Sequence, residues 1–225
     1  MTRNFLSHLA NAVLVVCAVV ITGAVVRREL LARAEAPGPA AANVRKLVDG
    51  PDLASGVRLL GRADAPVKIV AFSDFQCPYC AVFHQTLQRV RARHPDRVAV
   101  AYRHLPLDAI HPHARTAGLA AECAGEQGRF ERYADLLFAQ QDAIGQKAWA
   151  GFAREAGVRD VGAFDACMAE RRWAGRVDQD ARLAEGMGIG VTPTFIINGT
   201  LIPGVAPEAD LERWILDPGT IPRGQ

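Results

Sequence analysis

VKIVAFSDFQCPYC, residues 67–80, is the stretch around which the rest of the chain arranges itself. Residues 67–73 form an apolar, β-branched run suited to a buried central strand. Beyond it Val82, Phe83, Leu87 and Val90 fall on one face of an amphipathic helix over 78–93. Residues 98–105, VAVAYRHL, read as a second buried strand, so this part is a β-α-β unit with parallel strands and a right-handed crossover. Upstream, residues 57–60 form a short strand candidate ending at Gly61. Downstream, residues 111–187 are helical in pattern, with faces marked by Ala117, Ala120 and Ala124, by Phe130 and Leu137, by Trp149 and Phe152, and by Val161 and Phe164. Arg182 to Met187 closes that region. Residues 194–197 and 200–202 are strands joined by Asn198-Gly199, a strong hairpin turn. Pro207 can start a last helix with Leu211, Trp214 and Ile215 inward. The class is α/β, in the order β-α-β, helices, β-β-α.

The chain has 225 residues, 50% hydrophobic and 22% charged, a balance that excludes a disordered chain. Its length allows one domain with an insertion and a short appendage. A net charge of +2 gives no electrostatic case for a nucleic-acid partner. Residues 9–26, LANAVLVVCAVVITGAVV, carry no charge and as a helix would extend roughly 27 Å, about the thickness of a bilayer core. An uncleaved N-terminal transmembrane anchor over 1–28 is expected. A cleaved signal peptide, with Thr22-Gly23-Ala24 as its small-residue site, is the competing reading. Cys17 lies inside the run as a small apolar side chain. Arg27, Arg28 and Arg33 against Arg3 favour a cytoplasmic C-terminal side, in conflict with the chemistry below. Residues 29–56 read as a linker and short docking segment, and 57–220 as the folded domain.

Cys77-Pro78-Tyr79-Cys80 opens the helix after a buried strand. Cys77 at the helix N-terminus meets unpaired N–H groups and the positive end of the macrodipole, which stabilise a thiolate. Pro78 fits the first turn, where its missing N–H loses no partner. Cys80, three residues on, shares the helical face and can close a disulfide as the buried, resolving thiol. The competing reading is half of a zinc site, but no second CxxC exists, and Cys123, Cys167 and His84 would have to converge. No metal and no cofactor are expected. Val191-Thr192-Pro193-Thr194 precedes a strand, where a proline either starts the strand in trans or sits in a cis bond. With CxxC upstream in this order, cis is the expectation. It would turn the Thr192 backbone toward an extended substrate segment and bring the Thr192 hydroxyl toward the Cys77 sulfur.

Phe72-Ser73-Asp74-Phe75-Gln76-Cys77-Pro78-Tyr79-Cys80 with Thr192-Pro193-Thr194 resembles the DsbA-like thiol–disulfide oxidoreductases of the thioredoxin superfamily. Arg103-His104-Leu105-Pro106-Leu107, His111-Pro112, Cys123-Ala124, Gln127-Gly128, Phe130 and Asn198-Gly199 extend the resemblance over about residues 57–216. It implies a thioredoxin fold with a helical insertion, Cys77 attacking, Cys80 resolving, Pro193 as the cis-proline, and Pro78, Tyr79 and Thr192 as support for the active site and substrate. The sequence departs at Ala71, where many thioredoxin-fold enzymes carry a buried acid. Asp74 is the nearest acid, read as a turn or hydrogen-bonding residue. His84 is read as covering a helix surface, and His104, His111 and His113 as loop structure. Cys123 and Cys167, two cysteines in one helical insertion of a chain with an export segment, suggest a structural disulfide. Some DsbA-like proteins have a second bridge in a similar place.

With the apolar run at residues 9–26 as the anchor, the resemblance implies an enzyme on the extracytoplasmic side of the membrane. It would act on unfolded or partly folded proteins bearing thiols or disulfides, with a quinone-linked membrane partner reoxidising it. A dithiol oxidase is the first expectation. A reductase or isomerase with the same residues, and a non-catalytic anchored soft-metal clamp, are the alternatives.

Overall fold

In a computed structural model the described residues are 44–47 and 53–222. The expected anchor over 1–28 and most of the linker lie outside them. Among the described residues no helix is long and apolar enough to cross a membrane.

Among the described residues six strands form one mixed sheet: β1 (Arg45–Lys46), β2 (Arg58–Leu60), β3 (Val67–Ser73), β4 (Val98–His104), β5 (Thr194–Ile197) and β6 (Thr200–Pro203), in the order β1-β6-β5-β3-β4-β2. β3 lies in the middle, parallel to β4 and antiparallel to β5, with Ala71 opposite Tyr102 on one side and Phe195 on the other. That central place explains why 67–73 reads as a nearly continuous apolar run: both faces are covered. The expected crossover helix is α1 (Pro78–Arg93). Asn198 and Gly199 both take positive φ (47° and 75°), the geometry that a two-residue hairpin turn demands. The docking segment adds β1 to the edge of the sheet beside β6.

Five helices fill the region between β4 and β5: α2 (Ala114–Gly125), α3 (Phe130–Ala139), α4 (Trp149–Glu155), α5 (Val161–Ala169) and α6 (Ala174–Gly186). The last begins at residue 174, eight residues before the expected closing segment. Its polar sequence, AGRVDQDARLAEG, carries only a narrow apolar stripe, buried at Val177 and Ala184. After β6, α7 (Glu208–Leu216) buries Leu211, Trp214 and Ile215. Alternation along β3 divides the core. Ile69 and Ala71 face α1, α7 and most of the insertion, whereas Val70 and Phe72 face Ala184 of α6, Ile189 and Leu53.

Helix α2 is rich in Ala and Gly because it lies close on the β2–β4 edge. A Cβ at Gly125 would stand 2.6 Å from the Arg58 guanidinium carbon, and one at Gly118 would stand 3.0 Å from His104 Nδ1. Glu122 of the same helix accepts from Arg58 Nε at 2.6 Å and pairs with His104 Nε2 at 3.1 Å. Burial works against its charge, but His104 and Arg58 hold the carboxyl below its ordinary range. Cys123 is bonded to Cys167, joining α2 to α5 across 44 residues. A closed loop of that length stabilises a fold by about 2–4 kcal/mol in the chain-entropy view.

Candidate active site

Cys77 caps α1 with extended backbone (φ −75°, ψ 120°), and Pro78 occupies the first turn. The helix therefore opens on the two cysteines. Both are free thiols and both are buried, at 4% and 1% exposure, while Pro78 and Tyr79 between them are exposed. The Thr192–Pro193 peptide bond is cis, and the loop that carries it meets Cys77. The Cys77 thiol donates to the Thr192 carbonyl oxygen at 3.5 Å. The sequence reading assigned that contact to the Thr192 hydroxyl. Instead Thr192 Oγ1 is buried without an aligned hydrogen bond, although it still adds to the lowering of the Cys77 pKa. The backbone carbonyl is the atom that makes the aligned hydrogen bond.

The two thiols are held far apart in acidity. A hydrogen bond from Cys80, then the Thr192 side chain and the N–H groups of Cys80 and Tyr79, lower the Cys77 pKa to about 6 against an opposing effect of burial. Cys80 is pushed well above the ordinary thiol range, first by burial and then by Cys77 itself. The Asp74 N–H points at Cys80 Sγ from 3.4 Å. Cys77 alkylation by iodoacetamide should therefore follow a titration with its midpoint near pH 6, leaving Cys80 unlabelled. The sign follows from a depressed folded-state pKa. The thiolate's contribution to stability of the reduced protein is complete above about pH 8.5 and disappears as pH falls through 6. A midpoint above pH 8 would contradict the assignment.

Asp74 is wholly buried and spends its carboxylate on structure. Oδ1 accepts from the Gln76 N–H (2.7 Å), and Oδ2 accepts from the Leu107 N–H (2.9 Å) and His111 Nδ1 (2.8 Å). The three histidines thus go to separate partners: His104 to Glu122, His111 to Asp74, while the His113 N–H donates to Gln76 Oε1 at 2.6 Å. His84 departs from the sequence reading. It is 7% exposed, not a surface cover, because Asp135 of α3 reaches its Nε2 at 2.8 Å. Gln141, in a short 3-10 turn after α3, was not foreseen. Its Nε2 donates to the carbonyls of Phe75 (2.7 Å) and Cys77 (2.9 Å), tying the insertion to the cysteine turn. A lone glutamine between helices carries no periodic or motif signal that would have singled it out.

A family model described as Thioredoxin matches residues 54–217. The chain belongs to the thioredoxin family. Within that family its fold, with the helical insertion between the two halves of the sheet, resembles solved DsbA-like proteins. Oxidised BdbD from Bacillus subtilis superposes with a TM-score of 0.65 at 23% identity, covering 76% of this chain and 97% of that one. DsbA2 from Pseudomonas aeruginosa gives 0.54 at 27% identity, covering 72% and 95%. The sequence is also 41% identical over 141 residues to a Salinispora tropica protein named Na(+)/H(+) antiporter NhaA 3. That match takes in 62% of this chain and 21% of the antiporter, so this thioredoxin-family chain spans about a fifth of that curated relative's length.

Proposed function

We propose that this is a thiol–disulfide oxidoreductase of the DsbA type that works through Cys77 and Cys80. The observation that carries the reading is geometric: Cys77 at the mouth of α1 meets the cis Thr192–Pro193 loop, with Cys80 buried behind it, and the direction of the two acidities agrees. A substrate thiolate attacks Cys77 of the oxidised pair, breaking the Cys77–Cys80 bond and leaving Cys80 as thiolate. A second substrate thiolate then attacks the substrate sulfur of the mixed disulfide and expels Cys77. Cys77 is a good leaving group because its thiolate is stabilised. The same stabilisation favours the reduced enzyme and hence the oxidase direction. Pro78, Tyr79, Thr192 and Pro193 form the support around the pair. Tyr79 and Val191 are 65% and 55% exposed beside Cys77 and suit apolar segments of unfolded substrates.

The domain, residues 57–220, is placed outside the cytoplasmic membrane and attached through residues 1–28, with a quinone-linked membrane protein reoxidising it. The Cys123–Cys167 bond supports that side, since structural disulfides persist in oxidising compartments. Equilibration of the full-length protein with glutathione buffers tests the direction. An oxidase should settle nearer −120 mV, whereas a value near −270 mV would make it a reductant. Stoichiometric Cu(I) binding without acceleration of disulfide exchange would replace the enzyme reading with a soft-metal clamp.

A further inference from the structure

Beneath Cys80 lies a cavity of about 10 Å³, room for one water molecule. Its lining includes Ala71 and Ser73 of β3, Tyr102 of β4, and Cys80, His84 and Arg91 of α1. The space exists because Ala71 stands opposite Tyr102 in the sheet register, and a methyl group leaves the region beside the tyrosine unfilled. Tyr102 Oη and Arg91 Nε of this lining are buried and make no aligned hydrogen bond, while the Ser73 side chain lies close enough to act on both the Tyr102 hydroxyl and the Cys80 thiol. Tyr102 is 3% exposed and its ring stacks on Phe75 at 5.3 Å, so the hydroxyl is held in place. A phenol hydroxyl buried without an aligned partner carries a desolvation penalty that a water in the cavity would recover.

The other titratable groups near Cys80 are engaged. His84 Nε2 is bonded to Asp135, Asp74 spends both oxygens on the Gln76 and Leu107 N–H groups and His111, and Glu122 is bonded to Arg58 and His104. Cys77 lies on the far, substrate side of the pair. Yet Cys80 must take up a proton each time it leaves the disulfide and give one back each time it attacks.

We propose that the cavity holds one water, anchored by the Tyr102 hydroxyl, that carries the proton to and from Cys80, with Tyr102 as a positioning residue. The inference rests on Cys77 and Cys80 being the redox pair. When a thiolate R–S⁻ attacks Cys77, an R–S–S–Cys77 bond forms and the Cys77–Cys80 bond breaks. Its electron pair goes to Cys80 Sγ, and the water delivers a solvent proton there to give the thiol. In reverse, Cys80 loses that proton to the water as it attacks Cys77 of the mixed disulfide and expels R–S⁻. Burial keeps the Tyr102 phenol protonated, so it orients the water without adding charge.

The test is release of a peptide thiol from a mixed disulfide on Cys77, followed from pH 6 to 10 in the full-length protein. Tyr102→Phe keeps the ring and removes only the hydroxyl. At pH 7 it should slow release about tenfold, less than the loss of a positioned acid or base because the water itself remains. The deficit should shrink toward pH 10, where hydroxide replaces the relay, and the pH midpoint for Cys77 alkylation should not move. Ala71→Val fills the cavity while keeping the hydroxyl and should show the same pH-dependent deficit. A wild-type rate for Tyr102→Phe overturns the proposal, as does a deficit equal at every pH or a wild-type rate for Ala71→Val. Failure of Cys77 to form the mixed disulfide at all would instead remove the redox-pair reading.

Discussion

Cys77→Ser is expected to abolish thiol–disulfide exchange, by at least about a thousandfold, because the attacking group must be a thiolate and a serine hydroxyl is not ionised near neutral pH. Cys80→Ser is expected to behave differently. It leaves Cys77 with its place at the start of α1 and the Thr192 carbonyl in contact, but removes the thiol that expels a bound substrate. Incubated with a protein carrying an accessible disulfide, the variant should accumulate a covalent complex joined through Cys77. Dithiothreitol should release that complex, visible on non-reducing gels and by mass spectrometry. A Cys80→Ser protein that forms no such complex would count against the mechanism. So would a Cys77→Ser protein that retains more than a few per cent of the activity. A soft-metal clamp would lose affinity in both variants and trap nothing.

Asp180→Ala should be the most damaging change outside the cysteines. Asp180 of α6 is wholly buried and accepts from Arg103 Nη1 at 2.6 Å and from the His104 N–H at 3.1 Å, both on β4. Arg103 is also buried, its remaining nitrogens bonded to the Leu53 carbonyl. Removing the carboxylate leaves a desolvated guanidinium without its counter-charge, a situation that costs about 3–5 kcal/mol. In a chain of this size that is a fall of roughly 10 °C in Tm. Asp180→Asn retains one acceptor and the shape of the side chain, so it should lose less than Asp180→Ala. Thermal unfolding of the two variants checks the order, and a shift under 2 °C for Asp180→Ala would show that the pair contributes little.

How far each of these sites was legible in the sequence depends on distance along the chain. Cys77, Pro78 and Cys80 were legible because helix-start chemistry acts within four residues, and the period-2 and period-3.6 patterns around them are equally local. The helices of the insertion were found where an apolar face repeats, at Ala117 to Ala124 and at Phe130 to Phe138. The start of α6, inside the region read as helical, was not set, since a helix that buries mainly Val177, Asp180 and Ala184 shows too narrow a stripe for periodicity to delimit. His84 was misread for a related reason. One histidine on an amphipathic helix looks like surface until Asp135, 51 residues later, arrives to satisfy it.

The order of elements, the helix that opens on the cysteines, the hairpin at Asn198-Gly199 and the residues that resemble a redox centre can all be read from the amino-acid order. All of these are written in short-range patterns of polarity and backbone preference. Which atoms meet depends on the assembled fold: the Thr192 carbonyl aligned on Cys77, Gln141 across the cysteine turn, Asp180 beneath Arg103, and the unfilled space between Ala71 and Tyr102. Those contacts join groups tens of residues apart. Their energies come from desolvation and pairing, which have no value until the chain has brought both partners out of water.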